Sequence, residues 1–149
     1  MSIKKAHLII LLSGLFLLSD QFLKWLSIHK WNASYLLWNR VGWEPFANTG
    51  VAFSLPIPNQ VTIFITLPII FLVAYLLITE LKKPAGDFRL LLAWSAIFCG
   101  ATSNFVDRLF YSYVRDYFII GTAIINLADI MIVFGLGIYM LRLFGLKKV

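Results

Sequence analysis

Four apolar stretches alternate with short polar segments along the chain: Leu8–Ile28, Val61–Leu81, Leu90–Phe110 and Ile119–Phe144. Each reaches the ~20 residues that a helix needs to cross the hydrocarbon core of a bilayer. They predict transmembrane helices over about 8–28, 61–81, 90–110 and 122–144, with the opening residues of the last stretch outside the membrane. The first stretch has the basic start and apolar centre of a signal peptide. No small-x-small site follows it, however, and the run continues past Asp20 to Ile28, so a retained helix is expected. Residues 29–60 form the sizeable extramembrane piece and carry Trp31, Tyr35, Trp38, Trp43 and Phe46. Such aromatics favour the headgroup layer, either as a simple belt or as a small platform on the membrane surface. Asn48-Thr49-Gly50 is a turn signal, and Tyr35-Leu36-Leu37-Trp38 suits the start of a short strand. The expected fold is an all-α integral membrane protein. It has four transmembrane helices in a single domain over residues 1–149, and an outward loop platform with room for short β-strands after the first helix.

Composition strengthens the membrane reading. Hydrophobic residues make up 60% of the chain and charged residues only 13%, whereas about a quarter of a soluble domain is charged. The net charge of +6 does not point to nucleic acid, because the basic residues sit in short blocks beside the apolar runs. Lys4, Lys5, Lys82, Lys83, Arg89, Arg142, Lys147 and Lys148 fall at the termini and between the second and third stretches, against Lys30, Arg40 and Arg115 on the other side. The positive-inside rule then places both termini in the cytoplasm, with the 29–60 loop and the link at about 111–118 facing outward. The single cysteine, Cys99, permits no intrachain disulfide. His7 and His29 lack a ligand-like cluster, so no metal is expected.

The polar residues inside these apolar runs are unevenly distributed. At ~1.5 Å per residue, Asp20 lies ~18 Å into the first helix, with Lys24 one turn further on the same face. Asn104, Asp107 and Arg108 lie ~21–27 Å into the third helix. Asn126 and Asp129 share a face near the outer end of the fourth, and Asp116 sits in the outer link. All of them belong to the outer half. A conduction path would need polar groups along its whole length; a site confined to the outer half suits chemistry on something lying there. Intramembrane acids mark function by default, although Asp20 with Lys24, and Asp107 with Arg108, are equally suited to pinning helices together. Asp116 and Asp129 have no evident private cation, since Arg115 adjoins Asp116 only in sequence. These two are the candidate acid–base pair. A small proton-coupled exporter and a non-catalytic membrane assembly factor are the other classes compatible with this composition.

An ordered set of short blocks resembles the lipoprotein signal peptidase (signal peptidase II) family. The blocks are Asp20-Gln21 with Lys24, Asn48-x-Gly50-x-Ala52-Phe53, Gly100-x-x-x-Asn104-x-x-Asp107-Arg108, Val114-x-Asp116 and Asn126-x-Ala128-Asp129, spread over about residues 15–135. Each alone is weak, and their order is what makes the resemblance specific. The resemblance implies an aspartic endopeptidase with Asp116 and Asp129 as its catalytic pair and with no cofactor. It would cleave diacylglyceryl-modified prolipoproteins just before the lipidated cysteine, at the outer face of the prokaryotic cytoplasmic membrane. Prolipoprotein and membrane lipid are its implied partners, nucleic acid is not, and a monomer is expected. Asn48, Gly50, Asn104, Asp107, Arg108, Asn126 and Ala128 are expected to support the dyad or bind substrate, and Asp20, Lys24 and Gly100 to hold the helices together. The chain departs from the family pattern at Cys99, Ser103 and Ser112, where glycine is usual, and at Tyr117, where phenylalanine is usual. The two aspartates are also only 13 positions apart, a short connection that trims the segment able to lie over the site.

Overall fold

Helix and strand alternate unevenly along the chain in the computed structural model, which describes residues 3–38, 40–50 and 57–145. The order is α1 (Ile3–His29), β1 (Tyr35–Trp38), β2 (Val41–Asn48), α2 (Asn59–Lys82), α3 (Phe88–Tyr111), β3 (Val114–Ile120), β4 (Ala123–Ile125) and α4 (Leu127–Leu143). Ala52 and Phe53 of the outer-loop block, and Lys147 and Lys148, lie outside the described residues. The stretches Ala6–His29, Asn59–Lys82 and Phe88–Tyr111 are long and apolar enough to cross a membrane. The fourth helix has 17 residues.

The helices are built inside out relative to a soluble protein. On α1 the buried positions are Ile9, Ser13, Asp20, Lys24 and Ser27, a single stripe at helical spacing. Leu8, Leu11, Leu15, Leu18 and Phe22 are exposed. Lipid tails are as apolar as leucine, so small and polar residues turn inward and large apolar ones outward. Helix α3 is the central post and packs against α4, α2 and α1. Its approach to α4 depends on glycine. A Cβ on Gly100 would lie 2.5 Å from the Ala128 carbonyl oxygen, and one on Gly135 would lie 2.7 Å from that of Ala93.

The strands form one antiparallel sheet in the order β1-β2-β3-β4. The start of a strand expected at Tyr35 is β1 itself. The link at 111–118 and the first residues of the fourth apolar stretch depart from expectation. They fold into the β3–β4 hairpin, so the helix expected from about 122 begins at Leu127. The fold is therefore helical with a small sheet, and not all-α. Gly121-Thr122 makes the two-residue turn, with Gly121 at φ 66° and its N–H bonded to the Arg40 carbonyl oxygen at 2.7 Å. A run of apolar residues alone does not separate strand from helix; here the glycine at the turn decides it. At the opposite end of the bundle, Asp87 caps α3 and also pairs with Arg142 of α4 at 2.6 Å. The carboxylate of Glu80 accepts from the Lys83 Nζ and the Asp87 N–H, both at 2.6 Å.

Candidate active site

Asp116 lies on β3, opposite Phe46 of the neighbouring strand β2, and is buried. Asn48 of β2 pairs in register with Val114, so Asp116 is its diagonal neighbour on the same face. The Asn48 amide donates to Asp116 Oδ2 at 2.9 Å, while its own Oδ1 accepts the Gly50 N–H at 3.1 Å. This side-chain turn is the local meaning of Asn48-Thr49-Gly50. The other oxygen, Asp116 Oδ1, accepts from the Asn126 amide at 2.6 Å. Burial, and after it the charge of Asp129, push the Asp116 carboxyl up to about 7, against the opposing pull of the two asparagine amides.

Asp129 is positioned by helix-start grammar. Asn126 is the N-cap of α4 and Asp129 its third residue, and the two form a reciprocal capping box. The Asp129 N–H donates to Asn126 Oδ1 at 2.9 Å, and the Asn126 N–H donates back to Asp129 Oδ2 at 3.1 Å. Asn104 of α3 donates to Asp129 Oδ1 at 2.8 Å. The Asn104 carbonyl oxygen in turn accepts from Lys24 at 2.8 Å and from Asn126 at 3.1 Å. Asn126 thus touches both acids. All four carboxylate oxygens of the pair accept from uncharged amides, and among the described residues neither aspartate takes part in an ion pair.

Beneath this pair lies a buried ionic cluster. Lys24 pairs with Asp20 at 2.9 Å and with Asp107 at 3.3 Å, and all three side chains are fully buried. Asp20 reaches across the bundle. It accepts from the Ser103 hydroxyl at 2.6 Å, the Tyr117 hydroxyl at 2.8 Å and the Ala128 N–H at 3.2 Å. The suggested Asp107–Arg108 pair does not form. Asp107 binds Arg115 at 2.6 Å through the guanidinium and at 2.9 Å through the backbone N–H. Arg108 instead donates to the Gly50 carbonyl oxygen at 2.6 Å and, more weakly, to Asn59 at 3.5 Å. The reason is geometric. Successive helix residues point about 100° apart, so Asp107 faces α1 while Arg108 faces Gly50, just past the end of β2. Strand geometry likewise turns Arg115 to the face opposite Asp116, where it meets Asp107 and Gln21 and lies over the Tyr111 ring.

The site residues drawn from the sequence therefore fall into two connected groups. Asp116, Asp129, Asn48, Asn104 and Asn126 make up the first, with Gly50 and Arg108 at its rim. Asp20, Lys24 and Asp107 make up the second, while Gly100 and Ala128 provide the close contact between α3 and α4. Ser103, Arg115 and Tyr117, not among the site residues read from the sequence, carry much of the network. Their signal in the sequence was faint. Arg115 becomes readable once β3 is seen as a strand, and Ser103 and Tyr117 are both departures from the family pattern that add a hydroxyl.

Comparison with known proteins bears on the family and the fold. Residues 12–145 match the family described as "Signal peptidase (SPase) II". The chain is 37% identical over 99 residues to a lipoprotein signal peptidase of Streptococcus agalactiae serotype V, covering 64% of this chain and 63% of that protein. It is 34% identical over 110 residues to one of Haemophilus ducreyi, covering 68% and 67%. The match thus spans somewhat under two thirds of the streptococcal relative's length. Two solved structures, each described as a bacterial membrane enzyme determined by the in meso method, superpose on the whole chain. Their TM-scores are 0.81 and 0.77 at 22% and 23% identity, over 96% and 97% of their own chains. At that identity they speak to the fold. With the family match running through nearly every element that builds the site, the chain belongs to the signal peptidase II family.

Proposed function

We propose that this protein is an aspartic endopeptidase of the cytoplasmic membrane that removes the signal peptide from diacylglyceryl-modified prolipoproteins, cutting just before the lipidated cysteine. The observation that carries this reading is the Asp116–Asp129 pair, two coupled acids held wholly by neutral amides. Charge balance supports it. Asp20, Asp107, Asp116 and Asp129 bring four negative charges to the cluster and Lys24, Arg108 and Arg115 bring three positive ones. One proton closes the difference, and the pair is the place for it, because the other two acids are bound to cations. A dyad with one shared proton is the working form of two-carboxylate proteolysis, and its titration belongs to the pair.

In this mechanism the ionised carboxylate takes a proton from a water molecule as that water attacks the scissile carbonyl carbon. The protonated carboxyl donates to the carbonyl oxygen, giving a tetrahedral gem-diol. Collapse of that species breaks the C–N bond, with a proton passing to the leaving amine of the lipidated cysteine. Asn48, Asn104 and Asn126 orient the acids and never titrate. Arg108 holds the carbonyl oxygen of Gly50, whose N–H in turn holds the Asn48 side chain.

All four helices cross the membrane in this reading, with both termini cytoplasmic and the sheet outward. Lys82, Lys83, Arg89 and Arg142 lie at the end opposite the sheet, as the positive-inside rule requires. Helix α4, with 17 residues, is about 26 Å long, slightly short of the ~30 Å hydrocarbon core. Asp129 would then sit just below the outer boundary, within reach of a signal peptide still embedded in the bilayer.

The test is cleavage of a diacylglyceryl-modified prolipoprotein by the purified protein in detergent or lipid. Asp116→Asn and Asp129→Asn should each lower kcat on the order of a thousandfold with the fold retained, and a chelator should leave the wild-type rate unchanged. Full activity in either variant would refute the dyad.

A further inference from the structure

The first backbone N–H groups of a helix have no partner within it and must find one elsewhere. In α4 this requirement links the two acids. The Asp129 N–H is met by its own cap, Asn126, at 2.9 Å. The Ala128 N–H donates to Asp20 of α1 at 3.2 Å. The Leu127 N–H donates to the Tyr117 hydroxyl at 3.0 Å, and that hydroxyl donates to Asp20 Oδ1 at 2.8 Å. Tyr117 follows Asp116 directly on β3, and Leu127 lies two positions before Asp129. Its side chain is fully buried, and its ring stacks on Trp43 of β2 with centroids 4.9 Å apart, so the hydroxyl has little freedom to swing.

Resting on the reading of Asp116 and Asp129 as the reacting pair, we propose that Tyr117 is a positioning residue: its hydroxyl, braced by Asp20, ties the strand of Asp116 to the first turn of α4 and so fixes the separation of the two acids. A phenylalanine would fill the same space but offer the Leu127 N–H no acceptor. Asp116 and Asp129 would keep their asparagine partners but lose the tie that holds strand and helix at one spacing.

Leu127 allows the positioning role to be separated from a merely structural one. It is the first residue of α4, where proline is well tolerated because the N–H it lacks is one that has no partner inside the helix. Asn126 before it has φ −125° and ψ 176°, the extended conformation proline requires of its predecessor. Tyr117→Phe should lower kcat on the order of tenfold with KM within twofold, measured on diacylglyceryl-modified prolipoprotein at a temperature where circular dichroism shows the variant folded. Tyr117→Phe with Leu127→Pro removes the orphan donor without restoring the tie. It should regain thermal stability and keep the low kcat. A Tyr117→Phe enzyme with kcat within twofold of wild type would overturn the proposal, as would a double variant that recovers kcat. Amide hydrogen exchange reads the tie without substrate. Leu127 should be protected in the wild type and exchange at least tenfold faster in Tyr117→Phe; equal exchange in the two would also overturn it. If the wild-type protein cleaves no prolipoprotein while this exchange difference is present, the functional reading fails and the tie survives.

Discussion

Ser112 ends α3 in the left-handed conformation, at φ 64° and ψ 9°, with its N–H bonded to the Arg108 carbonyl oxygen at 3.2 Å. An L-residue with a Cβ is strained there, and glycine is not. Glycine would hold this conformation without strain, and this chain holds it with serine. Ser112→Gly should therefore stabilise the protein by about 1 kcal/mol, raising the melting midpoint by roughly 2–4 °C in a thermal scan of the detergent-solubilised protein. The other two departures in contact with the site act differently. The Ser103 hydroxyl donates to Asp20 at 2.6 Å and accepts from Gln21 at 2.8 Å, so each added oxygen found partners in the ionic cluster. At this scale the sequence named the two acids and their three asparagines readily, because polar groups in an apolar chain stand out. It could not apportion the cations. Adjacent residues such as Asp107 and Arg108 look like natural partners on paper, and helix geometry sends them to different neighbours.

Among the elements, the α3–α4 contact is the one on which the site most depends, since it sets Ala128 and Asp129 against Asn104. Gly100→Ala places a methyl against the Ala128 carbonyl oxygen, the Ile132 side chain and Met131. The backbone oxygen cannot rotate away, so the helices must part, at a cost of about 1–3 kcal/mol. Gly137, on the same helix α4, has nothing within 4 Å of its added Cβ, and alanine there should be neutral or slightly stabilising. Chemical denaturation of the two variants should separate them clearly; equal midpoints would mean that the α3–α4 approach is not tight. Helices α1, α2 and α3 were legible to within a few residues, apart from an earlier start of α1, because length and hydropathy suffice for membrane spans. The β3–β4 hairpin was not legible, because Phe118-Ile119-Ile120 and Ala123-Ile124-Ile125 merge with the apolar run of α4. Only Gly121-Thr122 marks the break. The short connection between the acids is therefore a tight hairpin whose strands are part of the sheet, and not a bare link.

For the molecule as a whole, pH should act through the acid pair, and Asp116 is the member that reports it. Its carboxyl is raised to about 7 in the fold, against about 3.9 for an exposed aspartate. The folded state holds that proton more tightly than the unfolded chain does. The stability this contributes is complete below about pH 4 and is lost as pH rises through 7. Unfolding midpoints of the wild type relative to Asp116→Asn should therefore fall between pH 4 and 7 and level off above; a constant difference would mean that Asp116 ionises freely. The three N–H groups that open α4 also have a consequence for how the enzyme comes into being. They are answered by β3, by α1 and by the helix's own cap, and α4, which carries Asp129, follows both α1 and β3 in the chain. No chain that stops short of α4 holds both acids in position. In the proposed reading the protease stays inert until α4 has been made and has docked against α1 and β3.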